Sequence, residues 1–248
     1  MKAFRALIKK ELRFYFQSPI AYIILAAFLS VTGYMFYIYA GLLSIPGTPG
    51  IISVMRFFFG GTWLFWVLLL MIPPSITMRL FSEEYKTGTI EIIKTSPVKS
   101  WHVILSKIAG GYIFFLFLWL PTFSYVLIVA LFGKPDMGPV ICSYIGTSLA
   151  GLMLISIGVF TSSLSKNQLV SYTLAIAVSF IFLTIGVMED FVSDADWKAV
   201  ISFLSLPNNF ANFPIGIIDL ESVVYFISFS WFFTLLTFIS YNMKGTNE

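Results

Sequence analysis

Charge is scarce in this sequence. Asp, Glu, Lys and Arg make up 11% of its 248 residues, against 58% hydrophobic, where a soluble domain carries about 25% charged residues. So few charges cannot cover a water-soluble protein of this size, and lipid has to serve as solvent for much of it. Cysteine occurs once, as Cys142 inside an apolar run. That excludes an intramolecular disulfide, and the residue reads as a small buried one. Histidine also occurs once, as His102, too few for a metal site or a Ser–His pair; beside Trp101 it reads as structural or as a headgroup contact. No H-E-x-x-H is present, and no G-x-x-x-x-G-K-[ST] phosphate loop, since Gly133-Lys134 is followed by Pro135. Ser148, in Gly146-Thr-Ser-Leu-Ala150, is not on a nucleophile elbow. The expectation is a chain without catalytic residues, metal or cofactor of its own.

What is present is a series of long charge-free stretches. A membrane helix needs about 20 apolar residues. The gaps predict six spans, at 20–40, 57–80, 104–132, 139–164, 168–188 and 222–242. The first is too long and too far from Met1 for a cleaved signal peptide. The 41–53 segment, with Pro46, Gly47, Pro49 and Gly50, reads as a loop. A seventh gap, 199–218, is interrupted by Pro207, Asn208, Asn209, Asn212, Pro214 and Gly216, residues that break helices or favour their ends. It is expected to dip into the bilayer without crossing, as half-helices over 194–205 and 209–216 within an acidic external region, 189–221. The spans are read as holding no ionisable residue, which argues against proton relays, voltage sensors and ion-coupled carriers. No carbonyl filter of the potassium-channel type occurs.

Orientation follows from the basic residues. With six spans both termini share a side. That side holds Lys2, Arg5, Lys9, Lys10, Arg13, Arg79, Lys86, Lys94, Lys99, Lys107, Lys166 and Lys244, twelve of fifteen basic residues. The other has Arg56, Lys134 and Lys198, with seven of the twelve acids. Both termini are therefore expected in the cytoplasm.

Residues 1–17 read as an interfacial amphipathic helix. Phe4, Leu7, Ile8, Leu12, Phe14 and Tyr15 share one face, and Lys2, Arg5, Lys9, Lys10 and Arg13 the other. Glu11 falls on the apolar face. It either snorkels or pairs with a basic residue of the next cytoplasmic loop, because an unpaired buried carboxylate is costly. Ser18-Pro19 fits the cap and first position of span 1. In the loop after span 2, Gly88 should break the helix that leaves the membrane. Thr89–Thr95 should form a short transverse helix with Ile90, Ile92 and Ile93 as contacts and Glu91 in its first turn. Ser96-Pro97 should restart a helix into span 3. The result is a knob, at 81–103, suited to docking a cytosolic partner. Inside the membrane, Ser143, Thr147 and Gly151, with Gly146 and Ala150, let helices approach closely. Pro73-Pro74 and Pro121 predict kinks, with Ser75, Thr77 and Thr122 placed to satisfy freed carbonyls.

The run Glu83-Glu84-x-x-Thr87-Gly88-Thr89-Ile90-Glu91, then Ser96-Pro97-Val98 and Lys107, resembles the signature of type-2 ABC transporter permeases. The likeness extends over Lys9-Lys10-Glu11-Leu12, Ser18-Pro19-Ile20, Pro73-Pro74-x-x-Thr77-Met78-Arg79 and Leu206-Pro-Asn-Asn-Phe-Ala-Asn-Phe, and is closest to the gliding-motility-associated subgroup. The resemblance implies an all-α membrane subunit with a coupling helix at Thr89–Thr95, an interfacial connecting helix in which Glu11 is engaged, and re-entrant external helices. Residues Glu83, Glu84, Thr87, Gly88, Thr89, Ile90, Glu91 and Pro97 would couple to an ATPase. Pro207, Asn208, Asn209, Pro214 and Gly216 would form the external gate. It further implies two cytosolic ATPase subunits that bind ATP and Mg, and a second permease, identical or a homologue with a large external domain. The activity implied is ATP-driven export from the inner membrane. The subgroup leaves open a subunit that transmits force to an envelope partner and moves no small substrate.

Overall fold

The computed structural model describes residues 2–43, 58–95, 98–132 and 135–246. Among them every regular element is helical. Six stretches are long and apolar enough to cross a membrane: Pro19–Gly41, Trp63–Thr87, Ser100–Leu131, Met137–Leu164, Gln168–Glu189 and Leu220–Met243. The chain is an all-α, multi-pass membrane protein.

The first helix, α1 (Lys2–Gln17), is followed at Pro19 by α2 (Pro19–Leu43). Next come α3 (Trp63–Thr77), α4 (Ser82–Thr87) and α5 (Thr89–Thr95). The third crossing is α6 (Ser100–Trp119), a 3-10 turn at Leu120–Thr122, and α7 (Phe123–Phe132). Then α8 (Met137–Leu164) and α9 (Gln168–Thr184) run with one break between them. The short α10 (Ala195–Leu204) and α11 (Leu206–Phe210) precede α12 (Leu220–Thr246). Several starts are capped as their sequences dictate. Asp136 accepts from the Gly138 amide at 3.1 Å, Asn167 from Leu169 at 2.9 Å, and Asp194 from Asp196 at 3.1 Å.

The bundle is built around α8, which packs against α12, α9, α3 and α6. Small residues make this possible. A Cβ on Gly151 would collide with the Phe115 ring, and one on Gly158 with Thr77. Ser143 and Thr147 are buried on the same helix. These small positions therefore serve packing within the subunit. Aromatic rings fill the core between them: Phe59, Phe65, Trp119 and Tyr144 contact one another edge-on or stacked.

Several boundaries differ from the sequence reading. The second crossing starts at Trp63 and not at 57, because Gly60 turns with φ 80° and Thr62 precedes the helix. The third starts earlier, at Ser100, and is interrupted at Pro121. There the carbonyl of Phe117, freed by proline, is taken by the Leu120 amide, while the Thr122 hydroxyl bonds Trp119 O at 2.6 Å. Ser75 and Thr77 bond Met71 O and Pro73 O, one turn before themselves, and not the carbonyls that Pro73 and Pro74 free. On α1 the buried face is narrower than expected. Glu11 and Tyr15 are buried, but Phe14 is 37% exposed.

Candidate functional site

The helix α1, the end of α12, α4 and α5 share one end of the bundle. Ser100 bonds Asn242 at 3.2 Å, the Lys94 ammonium lies 5.3 Å from the Tyr241 ring, and Phe81 packs on Tyr241. The long helix α12 thus ends beside α5. Trp101 stacks between Trp231 and Phe238 of α12, and His102 faces Phe4 of α1.

Against this end lies α1, docked along α6. Two features hold it. Tyr15 stacks on Phe114 at 4.9 Å and donates its hydroxyl to Ile76 O at 2.9 Å. Gly110 lets the backbones close: a Cβ there would stand 2.7 Å from that of Glu11. One turn before Gly110, on the same face of α6, is Lys107. The glycine therefore brings Glu11 over the lysine.

Four charges converge there. Lys107 is 1% exposed and Glu11 5%. The Lys107 ammonium donates to Glu11 Oε1 at 3.2 Å and to the Leu80 carbonyl at 2.6 Å, and stands 2.9 Å from Glu84 Oε2. Lys10 donates to Glu84 Oε1 at 2.8 Å and lies 3.8 Å from Glu11. Two cations and two anions close a neutral network across α1, α4 and α6. Neutrality and mutual hydrogen bonding are what allow such charges out of water. Burial lowers the Lys10 pKa, but its bond to Glu84 and the attraction of Glu84 and Glu11 outweigh it, and the net shift is upward. Burial, reinforced by Glu11, pushes the Tyr15 phenol well above its usual range.

The charge-free reading of the spans is corrected here. Lys107 lies inside the third crossing, Ser100–Leu131, as a fully buried residue and not in a solvated loop. Sequence singled out Glu11 but not Lys107 as its partner. The available signal was Lys107-x-x-Gly110, a cation and a close-approach glycine one turn apart.

A second connection, invisible in the sequence, ties α8 to the same end. Ser162 is fully buried, and its hydroxyl accepts from the amides of Phe81 (3.0 Å) and Ser82 (3.2 Å) and bonds Met78 O at 3.2 Å. One side chain therefore satisfies the backbone where the second crossing gives way to α4.

Beyond α4, Gly88 adopts a left-handed conformation with φ 73°. This is the conformation only glycine enters freely, and it turns the chain into α5. Thr87 bonds Glu83 O at 2.9 Å and Thr89 Oγ1 at 3.0 Å across the turn. Of the expected apolar contacts on α5, Ile90 is buried at 5% and Ile93 half-buried. Ile92 is corrected to an outward position, 71% exposed. Glu91 is exposed as well. Pro97 lies outside the described residues. Beside α5, a cleft of about 240 Å³ is lined by Lys10, Glu11, Arg79, Glu83 and Thr89. The Arg79 Nε and a Glu83 carboxylate oxygen, both at this cleft, are covered yet have no partner among the described residues.

At the opposite end, α10 spans Ala195–Leu204, close to the half-helix expected over 194–205. The second half-helix is corrected. Ser205 caps α11, Pro207 takes an early position, and the helix ends at Phe210. The remainder is a 3-10 turn at Phe213–Ile215, with Gly216 at φ 94° against the Pro139 ring. Leu206, Phe210 and Phe213 plug into the bundle. Pro214 is buried, Asn209 is 8% exposed, and Asn208 donates to Glu189 at 3.0 Å and Ser202 at 3.1 Å.

Compared with known protein families and with curated proteins, the sequence matches no family model and no curated protein.

Proposed function

We propose that the chain is the membrane-spanning permease subunit of an ATP-driven exporter of the type-2 ABC class, seated in the inner membrane with both termini cytoplasmic. ATP and Mg would be bound by two separate ATPase subunits, and a second permease would complete the membrane core. The observation that carries the reading is α5. It is a seven-residue helix at the end of the bundle behind a left-handed glycine, with Ile92 and Glu91 exposed. The cleft beside it holds a guanidinium nitrogen and a carboxylate oxygen without partners among the described residues. Such a surface suits a protein partner that supplies an apolar pocket and charged groups.

Motion imposed on α5 has two rigid routes inward. One is through Ser162 to α8. The other is through Glu84 to Lys107 on α6 and Glu11 on α1. Both end on buried side chains of the bundle, Ser162 in one case and Lys107 and Glu11 in the other, which suits the conversion of partner motion into helix motion.

The decisive experiment is native co-purification followed by reconstitution with the co-purifying ATPase. Gly88→Pro and Glu91→Ala are expected to insert normally and to lose transport while ATPase activity persists. Full transport by Gly88→Pro would refute the coupling role. ATPase activity that responds to an envelope protein and to no small substrate would instead assign the chain to force transmission.

A further inference from the structure

The cleft of about 240 Å³ beside α5 lies between α1 and α4 and is lined by Lys10, Glu11, Phe14, Arg79, Glu83 and Glu84, among others. Hydropathy fixes its level. Phe14 opens a stretch, 14–55, that holds no charged residue, and Arg79 closes another, 57–78. The cleft therefore stands where apolar chain gives way to charge, which is the headgroup level of a bilayer.

The charges of its lining do not all cancel within the protein. Glu11 and Glu84 are held by Lys10 and Lys107. Arg79 and Glu83 are left over. The Glu83 amide donates to Arg79 O at 3.3 Å, so the two stand one helical turn apart, at a spacing that suits an ion pair. Among the described residues they do not pair. The Arg79 Nε and one Glu83 carboxylate oxygen are both covered and both without a hydrogen-bond partner there. Covered polar groups of charged side chains are costly when left unsatisfied. A ligand that relieves both has to bring an anion to Arg79 and a cationic donor to Glu83.

We infer that the cleft binds the headgroup of a zwitterionic phospholipid that carries a primary amine, phosphatidylethanolamine. Its phosphate accepts from the Arg79 guanidinium, its ammonium donates to the Glu83 carboxylate, and its acyl chains leave past Phe14, which is 37% exposed. Both bonds belong to the strong, charge-assisted class. The same chemistry turns away the other common headgroups. The quaternary ammonium of phosphatidylcholine has no N–H, so Glu83 stays unsatisfied. Phosphatidylglycerol brings an anion alone to a lining with three carboxylates and two cations. Binding of the lipid does not depend on the proposed transport function. Where an ATPase docks at α5, the headgroup would complete the surface that it meets.

The test offers the full chain in detergent an equimolar mixture of phosphatidylethanolamine, phosphatidylcholine and phosphatidylglycerol with identical acyl chains. Native mass spectrometry counts the lipid retained. One phosphatidylethanolamine, preferred about tenfold over phosphatidylcholine, is expected. Glu83→Gln should remove that preference. Arg79→Gln should weaken retention of both lipids, because both carry the phosphate. Glu91→Gln, an exposed acid of α5 outside the cleft, should change neither. A thermal melt of each variant without added lipid reports its folding. Equal retention of the three lipids by the wild type, or a preference that survives Glu83→Gln, would overturn the site in favour of ordinary solvation by lipid. Preference for phosphatidylglycerol would overturn the zwitterionic assignment. No preference in the wild type, together with loss of the co-purifying ATPase in Glu83→Gln, would give the cleft to the partner protein instead.

Discussion

Lys107 and Glu11 are 96 residues apart in sequence and meet at 3.2 Å inside the protein, one on the third crossing and one on the helix that precedes the first. The contact ties α1 to a crossing helix by a buried charge. Its disruption has a definite sign.

Lys107→Met removes the buried cation that Glu11 and Glu84 share and leaves them only the half-exposed Lys10. Removing one partner of a buried pair costs about 3–5 kcal/mol. Lys107→Met and Glu11→Gln should each lower the unfolding midpoint in detergent. The double substitution should cost much less than the two losses added, because neither charge is then orphaned. Additive losses would show that the two side chains act independently.

Gly110 and Gly111 are adjacent, yet only the first is at the point of closest approach. Alanine at Gly110 would place its Cβ 2.7 Å from that of Glu11, whereas at Gly111 the nearest atoms stand at 3.6 Å. Gly110→Ala should cost about 1–3 kcal/mol through overpacking, and Gly111→Ala should be near neutral. Limited proteolysis within α1 should be faster in Gly110→Ala alone.

Ser162→Ala removes the acceptor for two buried backbone amides, those of Phe81 and Ser82. Leaving a buried donor unsatisfied costs about 1–3 kcal/mol. The expected result is a lower melting temperature together with faster hydrogen exchange at α4. Ser156→Ala is the control, since the Ser156 hydroxyl only back-bonds Leu152 O within its own helix.

The docking of α1 should be insensitive to pH between about 7 and 9 and should weaken in alkali. Lys10 has a folded pKa raised above its ordinary 10.5, with Glu84 and Glu11 as its charged neighbours. A base shifted up contributes stability that is whole below the unfolded pKa and lost as pH rises through the folded one. Tyr15, also raised, keeps its proton in the folded state when the unfolded chain surrenders it, and so acts in the same direction. Protease sensitivity of α1 followed from pH 7 to 11 checks this. Release of α1 below pH 9 would contradict it.

Much of the architecture was legible in the chain itself. Six spans of 22 to 32 residues, their charged edges, the N-terminal arm, the break at Gly88 and the short helix at Thr89–Thr95 all follow from hydropathy, proline, glycine and charge. These are local signals, because lipid obliges each crossing segment to satisfy its own backbone. The breaking of 199–218 into short helices was equally local, written in Pro207, Pro214 and the asparagines. What sequence alone could not settle were the pairings. That Lys107 rather than another base receives Glu11, that Ser162 serves Phe81 and Ser82, and that Ser100 meets Asn242 depend on which faces of α1, α4, α6, α8 and α12 meet. Those faces are chosen by packing around Gly110, Gly151 and Gly158, where the loss of a side chain sets the distance between helices. Only the tertiary structure decides which polar groups, far apart along the chain, come close enough to bond.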